Sequence, residues 1–353
     1  MNKLLYEVAE EVFRLKNSGK KIISLNLGET NMPVPECGIE AAITHLKTSD
    51  AGYSFAAGLK ELRTKIAERE NCSIDNVIVG TGSKEIIFGL MSMLLKKGDS
   101  IIIPEPTWPT YGLNAWHLGL EAKIIETSLD KKWSFDGLEF KDEKMLILCN
   151  PLNPTSTVYN ENLLKKTIDD ANESGLTVIL DEAYKALAFK KIPNYENAIR
   201  VRSFSKEFNM EGYRLGYAIA PKEIVNKMID FNHMCIACVP EFVQKAGLAC
   251  LENESEILKK HWDIWHKRML FASKVMRKNG FEFSEPESGI YLFAKHRNIE
   301  DSRHFYRELL NEGVAIAPGL AFGNFKQFIR ISINQEEEIL EKAFAKMAMI
   351  VEK

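Results

Sequence analysis

The sequence has little of several features that mark specialised classes of protein. Its net charge is only −3, and 46 basic and 49 acidic residues are interspersed along 353 residues, so no excess charge would draw it to nucleic acid or an anionic membrane. No apolar run is long enough to span a membrane, and the opening MNKLLYEVAEEVFRLKN alternates apolar and charged residues, unlike a signal peptide. We therefore expect a cytoplasmic protein whose partners are small molecules.

Cysteine is also scarce. Cys235 and Cys238 form a CxxC pair, but a metal site would need a second pair of ligands and a redox site would need a thioredoxin-like context, and HMCIACVPEF supplies neither. We predict no metal site and apolar packing of these thiols. Scattered cysteines in a long chain suit a reducing cytoplasm better than a disulfide framework, and the six are Cys37, Cys72, Cys149, Cys235, Cys238 and Cys250.

Apolar residues, in contrast, are abundant enough for a large core. They make up 45% of the chain, and its length suggests one large domain with a smaller one. From residue 76 onward, short apolar runs such as NVIVG and MLILC alternate with helical patterns. This alternation is typical of a parallel sheet covered by helices on both faces, so the sequence predicts an α/β fold.

The first of these strand-to-helix units offers an anion site. In NVIVGTGSKEIIF, residues Gly82, Ser83 and Lys84 lie where a helix should begin, and free N–H groups and the positive end of the helix dipole favour a phosphate there. The segment begins like the GxGxxG of an NAD-binding protein. However, Glu85 occupies the place of the third glycine, and Asp99 precedes its strand instead of following it, so an NAD-dependent oxidoreductase is disfavoured.

A second anion site contains an amine. The stretch RSFSKEFNMEGYRLGY places Ser203, Ser205, Lys206 and Arg214 close together in sequence, with two glycines that allow close backbone approach. A lysine beside an arginine in a partly buried place should give up its proton more readily. A neutral lysine amine is a nucleophile toward aldehydes.

This stretch resembles the Schiff-base signature of the aspartate aminotransferase superfamily, the fold type I pyridoxal phosphate (PLP) enzymes. The shared pattern is serine, any residue, serine, lysine, and an arginine eight residues after the lysine within GxRxGY. The resemblance implies that Lys206 forms the aldimine with PLP. It also implies that Ser203, Ser205 and Arg214 bind the cofactor phosphate, together with residues 82–84.

The resemblance also implies an architecture. Members have a large domain, with a mostly parallel seven-stranded sheet between helices, and a small α+β domain built from both termini. We place the large domain at residues 46–277 and the small domain at residues 1–45 and 278–353.

Two strand ends extend the match. MLILCNPLNPT and LTVILDEAY are apolar runs whose polar residues come at the C-terminal end, where open α/β sheets bind ligands. The resemblance implies that Asn153 and Tyr184 hydrogen-bond the cofactor's phenolic oxygen. It also implies that Asp181 pairs with the pyridine nitrogen and makes the ring an electron sink. One departure is Ser156, which stands where the family usually has glycine.

Four more residues complete the implied site. Trp108, in a proline-rich loop, would stack on the cofactor ring. Arg330 lies in an apolar strand where an unpaired cation is costly, and the resemblance gives it the substrate α-carboxylate, near Gly28 and Asn153. Tyr53 would reach the cofactor phosphate of a neighbouring subunit, which implies a homodimer, although a partly buried loop tyrosine is an equal alternative.

The implied reaction is transfer of an amino group from an amino acid to a 2-oxo acid by a ping-pong mechanism, with Lys206 as the base. A PLP-dependent lyase, decarboxylase or cyclase remains an alternative, because these residues form the carbanion without determining its fate. A PLP-sensing regulator would need a DNA-binding module, and this sequence begins with an amphipathic helix instead. LNLGETN is similar to histidinol-phosphate aminotransferase-like members, whereas GVAIAPGLAFG resembles the general class I pattern, so the substrate stays open.

Two structural expectations concern segments outside the site. KKWSFDGLEF reads as a surface connection. Asn253 and Glu256 are expected to cap a long helix with a buried stripe, and His261 and His266, which fall off that stripe, are expected to be solvated.

Overall fold

A computed structural model describes residues 2–49 and 52–352, and the bounds of their regular elements are as follows. The helices are α1 Leu4–Asn17, α2 Glu36–Thr48, α3 Lys60–Glu70, α4 Ser83–Leu94, α5 Thr110–Leu118, α6 Glu161–Glu173, α7 Phe204–Glu207, α8 Lys222–Cys235, α9 Glu241–Glu252, α10 Glu254–Lys278, α11 Ser302–Asn311 and α12 Glu337–Val351. The strands are β1 Ile23–Ser24, β2 Val77–Gly80, β3 Ser100–Glu105, β4 Glu121–Glu126, β5 Met145–Cys149, β6 Thr177–Asp181, β7 Ile199–Ser203, β8 Gly216–Ile219, β9 Tyr291–Lys295, β10 Val314–Ala315, β11 Ala317–Pro318 and β12 Phe328–Ser332.

A seven-stranded sheet lies at the centre, in the order β2-β8-β7-β6-β5-β3-β4. β8 runs antiparallel to both of its neighbours, and the other pairs are parallel. Every residue of β5 is buried, as expected for a strand covered by helices on both faces. The predicted α/β class with a mostly parallel seven-stranded sheet is confirmed.

The register of the parallel strands brings their polar ends to one edge of the sheet. Cys149 at the end of β5 lies opposite Asp181 at the end of β6, and Asp181 lies opposite Val201 of β7. Ser203 follows at the end of β7. Side chains from distant parts of the sequence therefore meet where such sheets bind their ligands.

A smaller sheet, β11-β12-β9, is antiparallel and carries Arg330 opposite Phe293. Helix α1 contacts β11, and helices α11 and α12 contact each other beside it. Helix α2 packs against α9. The division into two domains at residues 45–46 and 277–278 stays a prediction. None of the helices within residues 2–49 and 52–352 is both long enough and apolar enough to cross a membrane.

Four residues on or beside helices α8 and α10 differ from expectation. Asn253 does not cap α10 with its side chain but donates to the Ala249 carbonyl of the preceding helix. His261 is buried rather than solvated, because α10 also buries the side that faces residues 202–217, the lysine stretch. His266 is only partly exposed and stacks on Trp262, with ring centroids 4.6 Å apart. Cys235 is exposed rather than packed in an apolar environment.

Candidate active site

A cavity of about 400 Å³ lies at the C-terminal edge of the parallel strands. It falls within the size range of small-molecule sites. Of the predicted site residues, the structure brings twelve to its walls: Gly28, Ser83, Lys84, Trp108, Asn153, Asp181, Tyr184, Ser203, Ser205, Lys206, Arg214 and Arg330.

Two predicted residues lie outside the lining of this cavity. Gly82 stands directly behind it, since a Cβ atom at Gly82 would come within 2.5 Å of Arg214 Nη2. Tyr53 lies in a loop with 91% of its surface exposed, away from this chain's own cavity. Its predicted contact with a neighbouring subunit stays a prediction.

Lys206 projects into the cavity from the short helix α7, directly after β7. Ser203 ends the strand, and its hydroxyl accepts the backbone N–H of Ser205, which turns the chain into α7. The partly buried lysine Nζ donates to the carbonyl of Gly28 and lies 3.4 Å from Glu211 Oε1. Sequence reasoning missed Glu211, because an acid in a polar stretch carries no distinctive pattern.

The predicted phosphate site is built by two loops in close contact. Gly82 precedes α4 with φ +92°, a conformation that favours glycine. A Cβ atom at Gly216 would come within 2.9 Å of Gly82 Cα, so both loops need a bare backbone here. Arg214 Nη1 lies 3.5 Å from Ser205 Oγ and donates to the Glu211 carbonyl. A guanidinium, serine hydroxyls and a helix N-terminus thus converge, and this set of donors fits a phosphate.

Asp181 lies at the buried end of β6. Tyr111 donates its hydroxyl to Asp181 Oδ2 at 2.7 Å, and the Ala183 N–H donates to Oδ1 at 3.0 Å. Burial nevertheless raises the pKa of Asp181 to about 6. A cation is the partner that would favour its carboxylate form, which fits the protonated ring nitrogen of PLP. Tyr111 was missed as a site residue, and its position three residues after Trp108 was the available signal.

A hydrogen-bonded chain connects the large sheet to the smaller one. Asn153 donates to the Tyr184 hydroxyl at 3.3 Å and accepts from Arg330 Nη1 at 3.0 Å. The hydroxyls of Tyr184 and Tyr291 lie 2.9 Å apart. Burial raises the pKa of Tyr184 well above its usual value, so this phenol is a neutral donor. Tyr291 was missed because it comes from the distant strand β9.

Arg330 is a buried cation without a carboxylate partner among the described residues. Only 2% of its surface is exposed. Its guanidinium donates to the Asn26 carbonyl at 2.7 Å and stacks over the ring of Tyr291 at 4.2 Å, while Nε has no hydrogen-bond partner. A buried cation without a counter-ion is costly, and a carboxylate from a ligand in the cavity would supply one.

Ser156 adopts the turn that the family usually builds with glycine. Its φ is +58°, in the left-handed region. The Ser156 hydroxyl donates to the Tyr291 carbonyl at 2.9 Å and accepts from the Tyr291 N–H at 3.3 Å. These bonds offset the backbone strain and hold the start of β9 against the Asn153 loop.

Comparisons with known proteins agree with this geometry. The model of the family "Aminotransferase class I and II" matches residues 20–347. An aspartate aminotransferase of Thermococcus kodakarensis is 36% identical over 328 residues, which cover 92% of this chain and 88% of that protein. A (5-formylfuran-3-yl)methyl phosphate transaminase of Methanocaldococcus jannaschii is 30% identical, with 93% and 91% covered. The structure of an aspartate aminotransferase from Thermus thermophilus with maleate superposes with a TM-score of 0.95 at 25% identity, covering 99% of this chain and 97% of that one.

Proposed function

Since the chain belongs to the family of class I and II aminotransferases and is therefore a PLP-dependent aminotransferase, we propose that its amino donor is a dicarboxylic amino acid such as aspartate and that Lys206 is its catalytic lysine. The acceptor is a 2-oxo acid. The relatives described above are named as aminotransferases. Their names favour transamination over the lyase, decarboxylase and cyclase alternatives.

The donor groups of the cavity support the assignment of each part of the cofactor. Ser203, Ser205, Arg214 and the start of α4 would hold the phosphate, and Asp181 would pair with the ring nitrogen. Asn153 and Tyr184 would hydrogen-bond the phenolic oxygen, Trp108 would cover the ring, and Lys206 would bind the aldehyde carbon. When bound, PLP supplies an electron sink for negative charge at the substrate's α-carbon.

The chain's own residues would divide the remaining work. Arg330 would bind the substrate α-carboxylate with its guanidinium. Buried Asn153 keeps that guanidinium oriented. Lys206 Nζ would accept the substrate's α-proton as general base and later release it. In the ping-pong cycle of this family, the first oxo acid leaves before the second binds.

The dicarboxylic donor is favoured by the cations of the cavity. Four cationic side chains line it, and Lys206, Arg214 and Arg330 have the roles given above. Lys84 remains, and its ammonium lies at the exposed mouth, 3.2 Å from the Tyr6 hydroxyl and 5.3 Å from the centre of the Trp108 ring. No carboxylate among the described residues pairs with it. A second substrate carboxylate would meet this ammonium, while the backbone of Lys84 stays at the start of α4.

Replacing Lys84 with methionine tests this specificity. We expect KM for aspartate to rise about fivefold, because an exposed ion pair contributes up to about 1 kcal/mol. KM for alanine, which has no second carboxylate, should stay unchanged. The matched control is Lys96→Met, a lysine outside the cavity. Equal losses with aspartate and alanine would assign Lys84 to the cofactor instead and remove the support for a dicarboxylic donor.

A homodimer is the second part of the proposal. Tyr53 and Phe55 are 91% and 73% exposed on one loop, and the Ser54 N–H between them donates to Cys238 Sγ, which ties this loop to the turn after α8. Exposed aromatic side chains on a tethered loop are typical of an interaction surface. We propose that Tyr53 reaches the cofactor phosphate of the partner subunit.

Subunit mixing tests this shared site. Tyr53→Ala should bind PLP about tenfold more weakly, because one charge-assisted hydrogen bond is lost. When it is refolded with an inactive Lys206→Ala chain, half of the dimers are mixed, and each contains one site with both residues intact. At a PLP concentration that leaves the Tyr53→Ala chain alone largely unoccupied, activity should therefore return to about a quarter of the wild-type value. If Tyr53 serves its own subunit, mixing will restore nothing.

A further inference from the structure

Gly28 and Glu29 form part of one wall of the cavity. The segment that continues from them to Pro33 is bonded at three points to the stretch that carries Lys206. Lys206 Nζ donates to the Gly28 carbonyl, the Thr30 N–H donates to Glu211 Oε1 at 2.8 Å, and Asn209 Nδ2 donates to the Pro33 carbonyl at 3.0 Å. The first of these bonds uses the amine that would hold the cofactor. Asn209 and Glu211 then remain as the side chains of the lysine stretch that hold this wall.

The orientation of the Asn209 amide follows from its buried neighbour, His261. His261 Nδ1 lies 2.9 Å from the Glu207 carbonyl, which can only accept, so Nδ1 carries a hydrogen. Burial, with a smaller contribution from Lys260, lowers the pKa of His261, so the ring is neutral at neutral pH and Nε2 is an acceptor. Asn209 must therefore turn its NH2 group toward Nε2, 3.1 Å away, and the same group reaches the Pro33 carbonyl.

The upstream end of the wall is bonded to the substrate arginine. Arg330 Nη2 donates to the Asn26 carbonyl at 2.7 Å, and the Ser332 hydroxyl donates to the Leu27 carbonyl. The chain from Asn26 to Pro33 thus joins Arg330 at one end to the lysine stretch at the other. A shift at Pro33 would change the position of the carboxylate site relative to Lys206.

We propose that Asn209 and His261 are positioning residues that hold residues 26–33 in place. Through this segment they fix the position of the substrate carboxylate site relative to the Lys206 amine. Neither side chain lines the cavity. The inference rests on the proposed roles of Arg330 and Lys206. Asn209 and, on α10, His261 therefore control how tightly the amino acid binds, without taking part in the chemistry.

Steady-state kinetics of four holoenzyme variants test the inference. Asn209→Ala and His261→Leu should each raise KM for the amino donor about tenfold, the equivalent of one hydrogen bond, with kcat changed less than about twofold. The double variant should be no worse than either single one, because both remove the same bond to Pro33. His261→Gln should stay near the wild type, since its amide can also donate to Glu207 and accept from Asn209. The matched control is Asn172→Ala on α6, which loses two bonds to backbone carbonyls far from the cavity and should leave KM unchanged.

Hydrogen exchange of the full-length protein gives a readout independent of turnover. The Thr30 amide should exchange faster in Asn209→Ala and His261→Leu, and at the wild-type rate in His261→Gln and Asn172→Ala. Three results would overturn the inference. The first is additive effects of the two substitutions on KM, and the second is a His261→Gln variant that behaves like His261→Leu. The third is a lower melting temperature with unchanged KM and unchanged Thr30 exchange. If the wild type itself failed to use Lys206, the proposed function would fail, while the exchange pattern would still report on the connection to Pro33.

Discussion

Lys206→Ala abolishes transamination in our account, with kcat reduced by on the order of 10⁴-fold or more. Two contributions would disappear together, because in the proposed mechanism the same amine binds the cofactor covalently and acts as general base. Turnover is measured with aspartate and 2-oxoglutarate, and covalent cofactor by mass spectrometry after borohydride reduction. The protein should still fold, since Lys206 is only partly buried and its partners, the Gly28 carbonyl and Glu211, stay accessible to water.

Lys206→Arg is the control that separates chemistry from charge. Its guanidinium keeps a cation beside Glu211 but does not react with an aldehyde. It should therefore be as inactive as the alanine variant. Substantial turnover in either variant would show that another residue carries the reaction.

Arg330→Met is expected to lower kcat/KM by about 10²- to 10³-fold. The reason is the loss of the proposed pair between the buried guanidinium and the substrate carboxylate, which would correspond to about 3–4 kcal/mol. The free protein should lose only about 1–2 kcal/mol of stability, because the Asn26 carbonyl and Asn153 Oδ1 lose a donor but a buried cation without a carboxylate partner among the described residues is removed. Kinetics and thermal unfolding of the same samples measure both effects.

Arg330→Lys separates the effect of the positive charge from the effect of the bidentate guanidinium geometry. It keeps the cation but loses the bidentate geometry and the stacking on Tyr291, so it should recover only part of the lost kcat/KM. If Arg330→Met unfolds at a much lower temperature but retains kcat/KM, Arg330 is a structural residue. The substrate carboxylate must then bind elsewhere.

Local patterns explain why much of the site could be predicted from the sequence. Asp181 and Asn153 each follow an apolar run of strand length, and parallel strands bring such ends to one edge whatever the details of packing. Lys206 and Arg214 lie within one short stretch, so their proximity needed no tertiary information. The family match extended these local patterns to a PLP-dependent aminotransferase, and the comparisons confirm that assignment.

Residues brought in by tertiary packing could not be predicted in this way. Tyr291 reaches the site from β9, more than a hundred residues after its partner Tyr184. His261 was placed on the wrong side of α10, because a helical stripe identifies one buried face and not a second contact. Trp133 lies in the segment expected to be a surface connection, yet it is fully buried against Phe293 and donates to Ser284 Oγ at 3.0 Å. A loop whose apolar residues have no regular spacing gives no signal of such burial.

The most direct test of the central claim is the location of the covalent cofactor. The purified protein, incubated with PLP, is reduced with borohydride, digested and analysed by mass spectrometry. We predict a single pyridoxyl-modified peptide, with the modification on Lys206 of RSFSKEF. Modification of another lysine of the cavity, such as Lys84, or the absence of any modified peptide would contradict the account.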